Sequence, residues 1–182
     1  STTDSARTDG RYAVQQMRFN MKYLIATLSL VALPAFATVN ITGSVEAKCV
    51  IQTTKAGAYG NPIASKLSTT PSDGGILPII RYDVSIANAY IASITHPTSF
   101  SSSPSLSDTL TWTGSTSVTQ TSVSGMSAYN AAKTIVGNTT NFNLTLAGST
   151  WFSTASSAVY GSAKPLPGGT YTAVVQASCI AK

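Results

Sequence analysis

Apolar and polar residues alternate along several short segments of this chain, which is typical of extended strands with one buried face. In residues 38–48 the even positions are all polar and the odd positions are small or apolar, namely Val39, Ile41, Gly43, Val45 and Ala47. Alternation of the same kind occurs in residues 82–94, 141–146 and 171–179, and more weakly in residues 76–80, 109–113 and 117–123. Each of these segments is predicted to be a strand.

Residues that favour turns separate these segments. They occur at Asp73-Gly74-Gly75, Gly114-Ser115, Gly137-Asn138, Gly148-Ser149 and in residues 165–169. Only residues 127–133 indicate a helical turn, and no internal repeat is evident. Many short strands joined by frequent turns predict a single all-β domain, either a β-sandwich or a Greek-key barrel.

The first 37 residues differ from the rest. Residues 1–16 are polar and are expected to lie outside the mature protein, whose precursor would begin at Met17 or Met21. Residues 17–37 combine a basic start, a short apolar run and the small-residue triplet Ala35-Phe36-Ala37, as in a secretory signal peptide. The apolar run is about half of the ~20 residues that span a bilayer. We therefore predict cleavage after Ala37 and export of the mature chain.

Charge is scarce in this sequence. Charged residues make up 9% of the chain, against about a quarter in ordinary soluble domains. The lysines and arginines are scattered singly, so the formal net charge of +5 does not indicate a nucleic-acid partner. A surface made polar by Ser, Thr and Asn is typical of extracellular structural or adhesive proteins.

The two cysteines, Cys49 and Cys179, both lie in the predicted mature chain. In the oxidising environment reached by export, two such cysteines are expected to form one disulfide. A metal site or a catalytic thiol would need further ligands or a base, and the chain has a single histidine. The sequence predicts neither a metal site nor a cofactor.

Two segments at the ends of the mature chain resemble chaperone–usher fimbrial subunits (pilins). The first is residues 38–50, TVNITGSVEAKCV, which is most similar to the colonisation-factor (alternate chaperone–usher) branch. The second is residues 168–179, GGTYTAVVQASC, which resembles the strand that closes such pilins. Together they cover about a sixth of residues 38–182.

The resemblance implies an immunoglobulin-like β-sandwich in residues 48–182 that lacks one strand. A missing strand leaves unpaired backbone groups beside an apolar groove. A periplasmic chaperone fills that groove first, and the N-terminal strand of the next subunit replaces it at the outer-membrane usher. Residues 38–47 would be this donor strand, with Val39, Ile41, Gly43, Val45 and Ala47 facing the groove. The implied product is a surface fimbria that mediates adhesion to a host or surface receptor.

A different class of function is also compatible with the residues. Trp112 and Trp151 are candidate ligand-binding residues of a monomeric, secreted β-sandwich that recognises carbohydrate or protein. Core packing is the alternative role for both tryptophans. His96 precedes Pro97 and is expected in a turn, and no nucleophile and base can be paired around it, so an enzyme is not predicted.

Overall fold

The computed structural model describes residues 40–161 and 164–182, so the predicted signal peptide and the upstream segment lie outside the described residues. The chain divides into two units, residues 1–43 and residues 44–182. Only residues 40–43 of the first unit are described, and they form no regular secondary structure. In the part of the chain that is described, no helix has the length and apolar character needed to cross a membrane.

The regular secondary structure of the second unit is almost entirely strand, as predicted. The strands are β1 (Cys49–Lys55), β2 (Gly60–Ile63), β3 (Lys66–Ser68), β4 (Ile79–Val84), β5 (Tyr90–Thr95), β6 (Leu110–Thr121), β7 (Thr134–Val136), β8 (Thr139–Leu144), β9 (Gly148–Tyr160) and β10 (Gln176–Ala181). Two 3₁₀ turns (Pro71–Asp73 and Ser124–Ala128) and the short helix α1 (Tyr129–Ala132) complete the described elements. The helical turn predicted in residues 127–133 is therefore confirmed.

The strands form two antiparallel sheets, so the coarse prediction of an all-β sandwich is confirmed. In the larger sheet the long strand β9 is central: β4 and β3 pair along one edge, and β6 pairs along the other. The strand β1 extends this sheet beyond β4, and β2 extends it beyond β3. The smaller sheet has the order β10-β5-β8-β7. Consequently β1 and β10 are edge strands of different sheets.

The core lies between the two sheets. Both contribute fully buried side chains, with Tyr82 and Phe152 from the larger sheet and Ile94, Phe142 and Leu144 from the smaller. The rings of Tyr82 and Phe152 meet edge-on, with centroids 5.4 Å apart. An edge-to-face pair of this kind adds about 0.5–1.5 kcal/mol to the burial of its surface.

The alternation in residues 82–94 predicted one strand, and this prediction is wrong. The structure divides the segment into β4 and β5, which belong to different sheets. The chain crosses between the sheets at Asn88, whose φ of 61° is a left-handed conformation that asparagine tolerates better than most residues. Asn88 is also the one polar residue that interrupts the apolar phase of the pattern.

The turn predicted at Gly114-Ser115 is also wrong, because both residues lie inside β6. Sequence pattern missed the central strand β9 entirely. Its inward face alternates Thr150, Phe152, Thr154, Ser156 and Ala158, all buried. Because Thr and Ser occupy part of this buried face, β9 lacks the alternation of apolar and polar residues from which the other strands were predicted. Thr116 and Thr154 satisfy one another through a hydrogen bond of 3.0 Å, which lowers the cost of burying them.

Candidate functional site

The open side of the sandwich lies where β1 and β10 run side by side without pairing. The predicted disulfide between Cys49 and Cys179 is confirmed and joins these two strands, with their Cα atoms 6.4 Å apart. Both cysteines pack against the core, as do Ile51 on β1 and Ala177 on β10. The disulfide therefore links the two sheets at one end of their shared side.

Hydrogen-bond phase shows which backbone groups of these edge strands are free. In an antiparallel pair, alternate residues exchange both backbone bonds with the partner strand. Lys182 N donates to Ala89 O, so every second residue back along β10, including Ser178, directs its backbone groups toward β5. The backbone groups of the residues between, Ala177 and Cys179, therefore point to the free edge. On β1, Ser85 N donates to Lys48 O, so the even-numbered residues bond to β4. The backbone groups of Ile51 therefore point to the free edge of β1. Both strands thus offer unpaired donors and acceptors along the same side.

The pairing of β10 with β5 ends where a proline follows β5. Continuing the register past Gln176 and Thr95 would place Val174 opposite Pro97, and proline has no N–H to donate. Within the described residues, the backbone groups of residues 173–175 form no hydrogen bond to another backbone group. Val174 is 56% exposed. This stretch is therefore an extended edge available to a further strand.

A cavity of about 400 Å³ lies beside this unpaired stretch, within the ~300–1,000 Å³ typical of pockets that receive ligands. One wall is formed by Thr53 and residues 55–59, at and beyond the end of β1, and the other by residues 171–175. Ile80 and Ser156, from the middle of the larger sheet, also line it. The cavity therefore opens between the two sheets toward the core.

An aromatic cluster borders the part of the cavity that Tyr59 and Tyr171 line. The ring of Phe100 contacts those of Trp112, Tyr171 and Tyr59, with centroid separations of 4.8, 5.0 and 6.1 Å. Tyr59 donates to or accepts from Ser156 over 3.0 Å, and burial raises the pKa of its phenol. Tyr171 donates to the Pro167 carbonyl over 2.6 Å. Trp112 is thus a packing partner that faces this cluster.

Trp151 lies on the other face of the larger sheet. The register places it beside Arg81, whose guanidinium carbon is 5.1 Å from the centroid of the indole ring. Arg81 also forms an ion pair with Asp83 at 2.6 Å. The structure therefore places Trp112 and Trp151 on opposite faces of the sheet and does not combine them in one surface.

The predicted donor segment forms no strand in the residues that are described, 40–47, and all of them are exposed; Val39 lies outside the described residues. Ile41 is 98% exposed and Val45 is 76% exposed. Ordered contacts begin at Glu46, because Ser85 Oγ donates to its carbonyl over 2.9 Å and accepts from Lys48 N over 2.7 Å. The apolar positions Ile41 and Val45 therefore remain available to a partner.

A buried tyrosine supports the open side from within. Tyr82 Oη donates to the carbonyl of Ser178 on β10 over 3.1 Å, and burial raises the pKa of Tyr82 well above its usual range. The ring therefore connects the larger sheet to the edge strand of the smaller sheet.

Over residues 40–161 and 164–182, no group of three His, Cys, Asp or Glu side chains is placed to hold a metal ion.

Sequence reasoning located the edge strand β10 and the disulfide, but it predicted no strand over β1, and it gave an open groove only as what the resemblance to pilins implies. The walls of the cavity include residues 56–58 and 172–174, which lie outside any strand longer than a single bridge. The available signal was Pro97, since a proline two residues beyond a strand cannot donate the backbone hydrogen bond that would continue the ladder.

None of the protein-family models, curated proteins or solved structures compared with this chain matches it. Its function is therefore inferred from its own residues and geometry.

Proposed function

We propose that the chain is a structural subunit of a surface fimbria, polymerised by donor-strand exchange, and that the assembled fibre mediates adhesion. In this proposal residues 48–182 form an immunoglobulin-like sandwich that is incomplete by one strand. The observation that carries the proposal is a complementary pair: an exposed, alternating segment at residues 40–47 and an open, unpaired side between β1 and β10.

The physical basis is the cost of leaving each part alone. Exposed apolar side chains in an alternating segment are unfavourable in water, and burying one of the size of Ile or Val contributes about 1.5–3 kcal/mol. Unpaired edge strands offer backbone bonds to another chain and invite aggregation. Insertion of the segment from a second copy addresses both costs at once. The free edge needs protection before assembly, and the resemblance to pilins implies a periplasmic chaperone and an outer-membrane usher as the partners.

The odd and even positions of the segment have different roles in this proposal. Val39, Ile41, Gly43, Val45 and Ala47 are the candidates to face the groove, and the even positions face solvent. A Cβ added at Gly43 would meet no atom within 4 Å, so a larger residue there is tolerated by the free subunit. Any requirement for a small residue at Gly43 would arise only from the neighbouring copy.

The test compares Ile41→Asp with Thr42→Asp. Both side chains are exposed in the free subunit, so neither substitution is expected to affect its folding. We expect Ile41→Asp to abolish fibres, because burying an ionised carboxylate in the groove costs several kcal/mol of desolvation, and Thr42→Asp to assemble normally. Electron microscopy of surface appendages, labelled with antibody to this chain, measures both.

The outcome also separates the proposal from its alternative. Equal fibre yields for the two variants, or the absence of fibres from the unmodified protein, would favour a monomeric binding module. Trp151 would then be the first residue to test for ligand binding, since its ring lies on the outer face beside Arg81.

A further inference from the structure

The disulfide determines how much of the open side a further strand can enter. Neighbouring strands lie about 4.8 Å apart, so a strand inserted between two others requires its neighbours roughly 9.6 Å apart. The Cα atoms of Cys49 and Cys179 are only 6.4 Å apart. No strand fits between β1 and β10 at the disulfide, and the groove is closed at that end.

The space that remains is short. The cavity wall formed by the C-terminal part of the chain is residues 171–175, and its unpaired backbone is residues 173–175. At about 3.3 Å per residue, five residues of extended chain span roughly 16 Å. The groove therefore receives about five residues of a donor strand, half of the segment at residues 38–47.

The other half of the segment has less freedom. Ser85 holds Glu46 and Lys48 of the same chain through its hydroxyl group, and Ser85 N donates to the carbonyl of Lys48 over 3.1 Å. Residues from Glu46 onward thus belong to the fold of their own subunit. A donor strand that included Ala47 would have to break these bonds and would bring the two domains together with no linking residues.

We infer that the inserted part of the donor is residues 39–43, with Ile41 filling the cavity and residues 44–45 linking the two subunits. This register rests on the proposed function and specifies its interface. Val39 and Gly43 flank Ile41 on the same face of the strand. Val45 and Ala47, although they continue the alternation, stay outside the groove.

The closed end also determines the direction of the inserted strand. Since the chain has to leave the groove toward its own domain, its exit lies away from the disulfide, on the side of Tyr59 and Tyr171. The donor then runs away from the disulfide. Residues 171–179 run toward the disulfide, so the donor is antiparallel to them, and it is parallel to β1, which runs away from the disulfide.

The experiment places the same charge at successive apolar positions of the full chain: Val39→Asp, Ile41→Asp, Val45→Asp and Ala47→Asp, with Thr42→Asp as the matched solvent-facing control. We expect the first two to lower fibre yield at least tenfold. The last two are expected to stay within twofold of the unmodified protein. A tenfold loss for Val45→Asp or Ala47→Asp would overturn the register while leaving donor-strand exchange intact. No loss for any variant would instead contradict the proposed function.

A second measurement does not depend on how the variants fold. Synthetic peptides with the sequences of residues 39–43 and residues 38–47 are added to the assembling, disulfide-intact subunit. If only five residues enter the groove, the two peptides inhibit assembly at concentrations within about threefold of one another. An advantage of tenfold or more for the longer peptide would contradict the register, and inhibition by neither would count against the proposed function.

Discussion

The contact between Gly114 and His96 shows how a single missing side chain lets two strands approach. Gly114 lies within β6, and a Cβ added there would collide with the imidazole ring of His96. His96 is itself fixed at the end of β5, because its N–H donates to Asn138 O and its carbonyl accepts from Asn138 Nδ2, each over 3.0 Å. The Cβ of His96, 2.8 Å from the added atom, is therefore held in place with its backbone.

Gly114→Ala is accordingly expected to destabilise the protein. Overpacking of this kind costs about 1–3 kcal/mol, and chemical denaturation monitored by tryptophan fluorescence measures it. Gly168→Ala is the matched control, because no atom lies within 4 Å of its added Cβ; it should be neutral or stabilising by up to about 1 kcal/mol. Equal effects of the two substitutions would show that His96 adjusts without cost.

At the scale of elements, the crossing between the sheets depends on one residue. Asn88 adopts its left-handed conformation between β4 and β5, and its N–H donates to the Leu144 carbonyl over 3.0 Å. Asn88→Gly keeps this conformation accessible and should change the free energy of unfolding little, whereas Asn88→Val should lower it by about 1–2 kcal/mol. Thermal unfolding of the two variants checks this, and because Asn88 is exposed, a loss of packing would not explain a difference.

The same turn explains where sequence pattern succeeded and where it failed. Alternation predicted the inward faces of β4, β5, β8 and β10, because apolar residues on those faces are spaced by two. It merged β4 with β5 because the apolar phase is the same on both sides of Asn88. It missed β9 because Thr150, Thr154 and Ser156 are buried by hydrogen bonding and close packing instead of by apolar character. An open groove was expected from the resemblance to pilins, but the wall formed by residues 56–58 was not predictable, since only the fold brings this irregular segment there.

At the scale of the whole molecule, the disulfide joins the first strand of the sandwich to the last across a sequence separation of 130 residues. The larger sheet and the smaller sheet are otherwise connected on this side by the side chain of Tyr82, which reaches Ser178 on β10. Because β1 and β10 share no backbone pairing, the disulfide takes the place of the backbone hydrogen bonds that a complete sandwich would have on this side. The side of the fold that the proposed function leaves open is therefore the side that the disulfide reinforces.

Removing the disulfide should consequently weaken the fold. Closing a loop of this length contributes about 4–5 kcal/mol in the chain-entropy description, and loss of a native disulfide typically costs about 2–5 kcal/mol. Cys49→Ser combined with Cys179→Ser, which avoids a free thiol, is expected to fall in this range in urea denaturation. Reducing agent added to the unmodified protein should reproduce the loss, and should have no effect on the double variant. If the double variant were as stable as the unmodified protein, the contact between β1 and β10 would be maintained by packing alone, and the groove would be closed at that end without the covalent bond.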